Sequence, residues 1–317
     1  MQTTLEKKEV KDLKKMREEF FALVPGVEKA SPVPVVDAAS LTERSFKKKW
    51  VSKSRPVLIK GAVKEWPAVR KWGDKNYWLS QVENIRLKVY THMNYNNDKY
   101  QHIGEEEMFF HDAVERLYAN TDYVLSIPAR KMTPKNAYAK LIADLPGFPF
   151  LPNVKRPRLI PQRRFFMYRR AATAWHYHDI DETLMCQIKG TKTIVIFPPD
   201  VPQIETITRF FLDDEYVEGK QLDKSLDIPM YIVDVEDGDA LYIPPYWHHG
   251  VIPNDGEIGF TVAYCWPSPW HVMGNFSSFF VRDMFKRKVW PSKKYRLLVP
   301  LVRLYAGLSY YIHAIME

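Results

Sequence analysis

From residue 163 onward the chain is a succession of short runs rich in β-branched and aromatic residues, each closed by a turn signal. No other feature constrains the fold as much. Phe165–Arg169, Glu182–Lys189, Thr191–Phe197, Tyr231–Val235, Ala240–Ile243 and Ile258–Tyr264 read as strands. Lys189-Gly190, Pro198-Pro199-Asp200, Asp237-Gly238 and Asn254-Asp255-Gly256 separate them. Such a series predicts a β-sandwich or barrel. The N-terminal part reads differently. Residues 4–24 carry Val10, Leu13, Phe20 and Leu23 near one helical face and stop at Pro25-Gly26. A second helix runs from Leu41 through Trp50, with Thr42 as its N-cap and Phe46 and Trp50 spaced i, i+4. A short strand and turn over 55–62, a short helix from Trp66 to Trp72, a helix over 76–84 and a strand over 85–91 follow. The acidic run Glu105-Glu106-Glu107 leads into a helix near Phe109–Tyr118, and Pro-rich loops fill 144–161. The expected class is mainly β with flanking helices: a helical extension over 1–34, one β domain over 35–270 and a helical region over 271–317.

Composition narrows the class further. A chain of 317 residues, 46% hydrophobic and 26% charged, can close a packed core and is not disordered. Cys186 and Cys265 are too few for a disulfide framework and suit a reducing compartment, so a cytoplasmic location is expected. Leu5 to Glu19 has none of the apolar character of a signal peptide. The net charge of +8 favours acidic partners, but Lys and Arg are spread from Lys7 to Arg303 and no nucleic-acid-binding module is evident. A solvated basic surface is the reading, and nucleic acid is not the expected partner. Leu297 to Met316 is mostly apolar, broken by Pro300, Arg303 and His313 and preceded by Lys286-Arg287-Lys288 and Lys293-Lys294. It is expected to pack or to form a homodimer, with contact to a membrane surface as the alternative.

Two histidine clusters carry the chemistry. One is Trp175-His176-Tyr177-His178-Asp179-Ile180-Asp181-Glu182; the other is Pro244-Pro245-Tyr246-Trp247-His248-His249. On a strand, residues i and i+2 face the same way, so His176 and His178 can point inward together while Tyr177 and Asp179 point outward. Imidazoles aimed inward from two strands suit iron, copper, nickel or zinc.

Four blocks then resemble the JmjC-type and cupin-8 group of oxygenases, which includes asparaginyl hydroxylases. They are Arg55-Pro56-Val57-Leu58-Ile59-Lys60-Gly61-Ala62 with Trp66-Pro67-Ala68; Thr173-Ala174-Trp175-His176; Cys186-Gln187-Ile188-Lys189-Gly190-Thr191-Lys192 running on to Phe197-Pro198-Pro199; and Gly238-Asp239-Ala240-Leu241-Tyr242-Ile243-Pro244 ending in Trp247-His248-His249. The resemblance implies a double-stranded β-helix that holds Fe(II) and 2-oxoglutarate. It implies His176 as first metal ligand and His249, rather than His248, as last. It also implies Lys192, with Thr173, for the distal carboxylate of 2-oxoglutarate. The substrate implied is a protein or peptide side chain, with a small molecule as the alternative.

The departures from the family pattern bear on the metal shell. The family motif is His-x-Asp with a glycine thirteen residues on, whereas Gly190 lies fourteen after His176, so one residue bulges between them. Three shells stay open: His176, His178 and His249; His176, Asp179 and His249; or a four-ligand set that adds Glu182. Four protein ligands would leave two positions, enough for 2-oxoglutarate but not also for oxygen. Ligand identity therefore separates a 2-oxoglutarate oxygenase from a cupin dioxygenase or isomerase without that cosubstrate, and from a non-catalytic metal- or peptide-binding cupin. Ala263 stands where the family has asparagine, and Arg169 or Arg170 is a candidate for recognising an acidic substrate or the cosubstrate carboxylate.

Overall fold

The computed structural model describes residues 13–91, 105–119, 125–152, 154–157, 161–179, 181–212, 222–286 and 297–316. Residues 4–12 of the expected first helix, and the basic residues 287, 288, 293 and 294, lie outside them. In chain order the elements are α1 (Leu13–Phe21), β1 (Ser31–Pro32), β2 (Val35–Asp37), α2 (Glu43–Phe46), β3 (Val57–Lys60), α3 (Pro67–Lys71), α4 (Lys75–Gln81), β4 (Arg86–Tyr90), β5 (Glu105–Phe109), α5 (Phe110–Ala119) and β6 (Leu125–Lys131). There follow β7 (Arg163–Arg169), β8 (Thr173–His176), β9 (Asp181–Lys189), β10 (Lys192–Phe197), α6 (Ile204–Leu212), β11 (Tyr231–Val235), β12 (Ala240–Ile243), β13 (His248–Pro253), β14 (Ile258–Pro267), α7 (Phe279–Lys286) and α8 (Val299–Met316).

The strands form two sheets. The smaller has the order β1-β11-β10-β13-β8 and the larger β2-β3-β12-β9-β14-β7-β6-β4-β5. Period-2 alternation sorts the side chains into three layers. Ile194, Ile196 and Val251 of the small sheet meet Met185, Leu241 and Ile243 of the large one between the sheets. Behind the large sheet, Phe165, Leu184, Cys186, Tyr242 and Phe260 pack with Trp72, Trp78 and Phe110 of the flanking helices. Behind the small sheet, Trp175, Val195 and Phe197 pack with Phe20 of α1 and with Ile207 and Phe211 of α6. This is a two-sheet cupin arrangement with helices on its outer faces, and the two sheets do not join into one closed barrel.

Several elements differ from the sequence reading. Glu105–Phe109 leads directly into helix α5, as expected, but is itself the edge strand of the large sheet, paired antiparallel to β4. Its glutamates are exposed, and two of them face Lys88 and Arg116 as ion pairs. Charge on an exposed edge discourages pairing with another chain, so this strand lacks the apolar run that marks the central strands. The second helix is shorter than expected: Thr42 and Ser45 form a capping box on α2, and the chain then widens into a π-turn over Lys47–Val51.

Two helices brace the small sheet and its neighbourhood. Phe20 of α1 stacks on Trp175 with centroids 5.7 Å apart, and Arg17 donates to Thr193 Oγ1 at 2.9 Å and to Asn254. Gly250 allows this approach: a Cβ there would lie 2.7 Å from Trp175 and 2.8 Å from Phe20. At the other terminus, α8 buries Ala306 and Gly307 beside Gly274 and Phe276 of its own chain. Leu301, Leu304, Leu308 and Ile315 on the same helix are exposed. Among the described residues no helix is long and apolar enough to cross a membrane.

Candidate metal centre

Strand β13 runs antiparallel to both β10 and β8, and its register decides what faces what. His249 sits opposite His176 on β8 and opposite Ile196 on β10. Ile196 faces the layer between the sheets, so His249 does too. Its neighbour His248 points to the other side, where it lies flat on Phe197 with centroids 4.9 Å apart and planes 6° apart. The choice of His249 over His248, which the family resemblance implied, thus has a physical basis in strand parity.

His178 reaches the centre by another route than expected. Strand β8 ends at His176, and His178 lies in the following loop, so strand alternation does not place it. The loop is held by the Tyr246 amide, which donates to the His178 carbonyl at 2.7 Å. Tyr246 adopts φ +67°, a left-handed conformation uncommon for a bulky side chain. The three rings converge: centroids are 4.2 Å apart for His176 and His249, 4.9 Å for His178 and His249, and 5.3 Å for His176 and His178. Each offers a ring nitrogen within 4.8 Å of the others, and among the described residues this is the one group of three or more potential ligands so placed.

Asp179 and Glu182 stand outside that group. Glu182 shares the outward parity of Leu184 and Cys186 on β9 and accepts a hydrogen bond from the Tyr242 hydroxyl in the core behind the large sheet. Burial there pushes its carboxyl up to about 7. A four-ligand shell through Glu182 is therefore a correction to the sequence reading: its side chain faces away from the histidines. The bulge expected between His176 and Gly190 is present in β9, where Lys189 pairs with Phe260 and Gln187 with Thr261, leaving Ile188 as the extra residue. A second irregularity lies in β8, two residues of which oppose one of β13 between the Thr173–Val251 and His176–His249 pairs.

The electrostatics favour neutral rings at His178 and His249. Burial, then His176 and Arg164, hold His178 well below its ordinary value. Burial, then His176 and His178, do the same for His249. His249 Nδ1 lies 3.0 Å from the Trp247 carbonyl, which can only accept, so Nδ1 carries the proton and Nε2 keeps its lone pair. His178 Nδ1 is buried with no hydrogen-bond partner among the described residues. Three imidazoles gathered this closely form a donor set that suits a divalent transition metal.

His248 makes a separate contribution, to stability. Burial, foremost, lowers its value to about 3 from 6.5, while Thr208 Oγ1 lies 3.2 Å from its Nε2. A depressed folded value means that the neutral ring supports the fold fully above pH 6.5 and that this support is lost as pH falls from there toward 3. His248→Gln should accordingly show a smaller drop in Tm than the parent between pH 7 and pH 4.5, measured by thermal unfolding in a pH series.

Lys192 and Thr173 share the inner face with the histidines. Along β10, Lys192, Ile194 and Ile196 oppose Pro253, Val251 and His249 in turn, so Lys192 stands four residues, about 13 Å, along the strand from the histidine row. It is 4% exposed, its Nζ lies 3.8 Å from the centre of the Tyr168 ring, and among the described residues it makes no ion pair. Burial alone lowers its value to about 7. Beside it, Gln187 Nε2 donates to the Tyr168 hydroxyl at 2.8 Å and Thr261 Oγ1 donates to Gln187 Oε1 at 2.9 Å. Tyr168, Gln187 and Thr261 were not singled out in the sequence; inward parity on β7, β9 and β14 is the signal that marks them. Arg169 is not a substrate residue. It is buried, and donates to the carbonyls of Leu117 and Gly256.

Residues 43–271 match the family described as cupin-like domain. The chain belongs to that family. Among curated relatives of this cupin-like chain, Jumonji C domain-containing protein 5 of Drosophila melanogaster is 24% identical over 246 residues, 74% of this chain and 59% of the relative. A bifunctional peptidase and (3S)-lysyl hydroxylase of Homo sapiens is 24% identical over 279 residues, 73% of this chain and 84% of the relative. The human tRNA wybutosine-synthesizing protein 5 is 23% identical over 256 residues, 74% and 78% of the two chains. Lysine-specific demethylase JMJ30 of Arabidopsis thaliana is matched over 53% of its length, so the cupin-like chain spans little more than half of some of these relatives.

Proposed function

We propose that this cupin-like protein is an Fe(II)- and 2-oxoglutarate-dependent oxygenase that hydroxylates a C–H bond in a protein or peptide side chain. His176, His178 and His249 would hold the iron, and Lys192 with Thr173 the distal carboxylate of 2-oxoglutarate. The observation that carries the proposal is the pairing, on one inner face, of three converging imidazoles with a buried lysine that has no acidic partner among the described residues. A buried ammonium without a counter-ion is costly unless an anion comes to it. When bound, iron(II) and 2-oxoglutarate would activate O2, the oxidant, so that one of its oxygen atoms enters a C–H bond and the other enters succinate as 2-oxoglutarate loses carbon dioxide. The protein's own part is to orient the rings through the Trp247 carbonyl and the Tyr246 amide, to present the Lys192 charge and to keep the apolar layer of Ile194, Ile196 and Val251 dry. The names of the human lysyl hydroxylase and the plant lysine demethylase support a protein substrate. A tRNA nucleoside is the second reading, favoured by the relatives named for wybutosine synthesis and by the net charge of +8.

The deciding experiment is anaerobic. Protein loaded with Fe(II) should develop the weak visible charge-transfer band of a 2-oxoglutarate chelate when that acid is added. Iron binding without the band would favour a cupin dioxygenase or isomerase, and no iron binding would remove the oxygenase reading.

A further inference from the structure

Polar groups line the inner faces of the sheets at two levels. Lys192, Tyr168, Gln187 and Thr261 form one. The other lies at the histidine end and consists of Arg164 on β7, Asp181 and Thr183 on β9 and Cys265 on β14. Arg164 is in register with Ala263, and Thr183 with Cys265. The Arg164 guanidinium reaches across Ala263, and its Nη2 lies 3.6 Å from Cys265 Sγ. It lies near enough to His178 and Asp181 to shift both electrostatically.

Its bonding is incomplete. Arg164 makes no ion pair among the described residues, its Nε is buried with no hydrogen-bond partner, and a thiol at 3.6 Å is a weak acceptor. Arg169, five residues on along the same strand, shows what a structural arginine looks like here: two carbonyls accept from it at 2.9–3.0 Å. Asp181, 7% exposed, feels the guanidinium electrostatically but makes no ion pair with it. A guanidinium is a planar fork that pairs bidentately with a planar anion. Asp181, close enough to feel Arg164, disfavours a doubly charged phosphate more than a singly charged carboxylate.

We propose that Arg164 is the residue that reads the substrate, and that the substrate offers it a carboxylate beside the metal. The inference rests on the oxygenase reading above, which places the substrate at the histidine end. It moves the acid-recognising role from Arg169 or Arg170, where the sequence pointed, to Arg164. The carboxylate can belong to an aspartate or glutamate side chain in a peptide or to a free small acid.

Binding tests this without turnover. Full-length protein is loaded with Mn(II), a redox-quiet stand-in for iron, and saturated with 2-oxoglutarate, whose affinity is measured first on the same sample by calorimetry. Failure at that step counts against the oxygenase reading and against Arg164 with it. The loaded protein is then titrated with mixed hexapeptides containing Asp or Glu and with matched peptides containing Asn or Gln. A second arm uses N-acetylaspartate and N-acetylglutamate against their amides. The acids should bind at least about tenfold more tightly than the amides in one arm, and that arm identifies the source. Arg164→Gln should erase the preference and leave 2-oxoglutarate affinity within about twofold, while Arg164→Lys keeps part of it. Far-UV circular dichroism and Tm check that both variants fold. Equal binding of acids and amides by the parent protein, or a preference that survives in Arg164→Gln, would overturn the assignment. So would a loss of 2-oxoglutarate affinity in Arg164→Gln, because Arg164 would then serve the cosubstrate.

Discussion

Lys192→Ala should weaken 2-oxoglutarate binding by about a hundredfold or more and leave metal affinity within about twofold. The ammonium is 4% exposed, sits 3.8 Å from the Tyr168 ring and has no carboxylate of its own among the described residues. Truncating one partner of a buried, hydrogen-bonded charge pair costs about 2–5 kcal/mol, which spans the stated loss. The ring alone is a poor substitute for a counter-ion, since a cation–π contact contributes only about 1–2 kcal/mol. There is a pH signature as well. With its value lowered to about 7 by burial, the empty site is largely deprotonated above that pH, and a carboxylate must draw a proton in as it binds. Affinity should fall by up to about tenfold per pH unit above 7, with proton uptake visible when calorimetry is repeated in buffers of different ionisation enthalpy. A Lys192→Ala protein that binds 2-oxoglutarate as well as the parent would dispose of the cosubstrate assignment.

The second large effect is at the metal. His249→Ala should reduce Fe(II) affinity by more than about a hundredfold, read by equilibrium dialysis against Fe(II) or Mn(II), because it removes one of three donors and a tautomer already fixed by the Trp247 carbonyl. Secondary structure should persist, since the ring lies at the end of β13 rather than in the aromatic packing that surrounds His248. Set beside it, His178→Ala should lose metal comparably, whereas Asp179→Ala should keep it. The reverse pattern would make the centre a two-histidine, one-carboxylate site.

Much of this was legible in the residues. The β-branched and aromatic runs of β10 and β14 and the Gly-Asp turn before β12 mark out the two-sheet core. The Thr-x-x-His and Trp-His-His blocks pick out His176 and His249 because register, once strands form, leaves a side chain only two faces to choose from. His178 is the instructive case. Its place was expected for the wrong reason: it lies past the end of β8, and a hydrogen bond from Tyr246, 68 residues away in the chain, fixes it. Contacts of that kind leave no local pattern to read. Arg164 was missed for a related reason, since an arginine next to another in a strand carries no sign of which one turns inward until the pairing with β14 is known. The edge strand β5 escaped notice because three consecutive glutamates offer no apolar period. Helix α8 shows its small residues, Ala306 and Gly307, turned toward the chain and its leucines turned away, an arrangement that apolar content alone cannot resolve.

The loop origin of His178 also changes the charge held at the centre. Three imidazoles would bring no charge of their own, so a divalent ion held by them would keep its full double charge; with a dicarboxylate dianion and the Lys192 ammonium that meets it, the site would carry one net positive charge. A carboxylate in place of one imidazole would bring it to zero. The three-imidazole site would therefore draw an anionic group more strongly. It would also hold its electrons more tightly, which shifts the potential at which the metal gives one up. In this protein that difference is set by which of two adjacent loop residues turns inward.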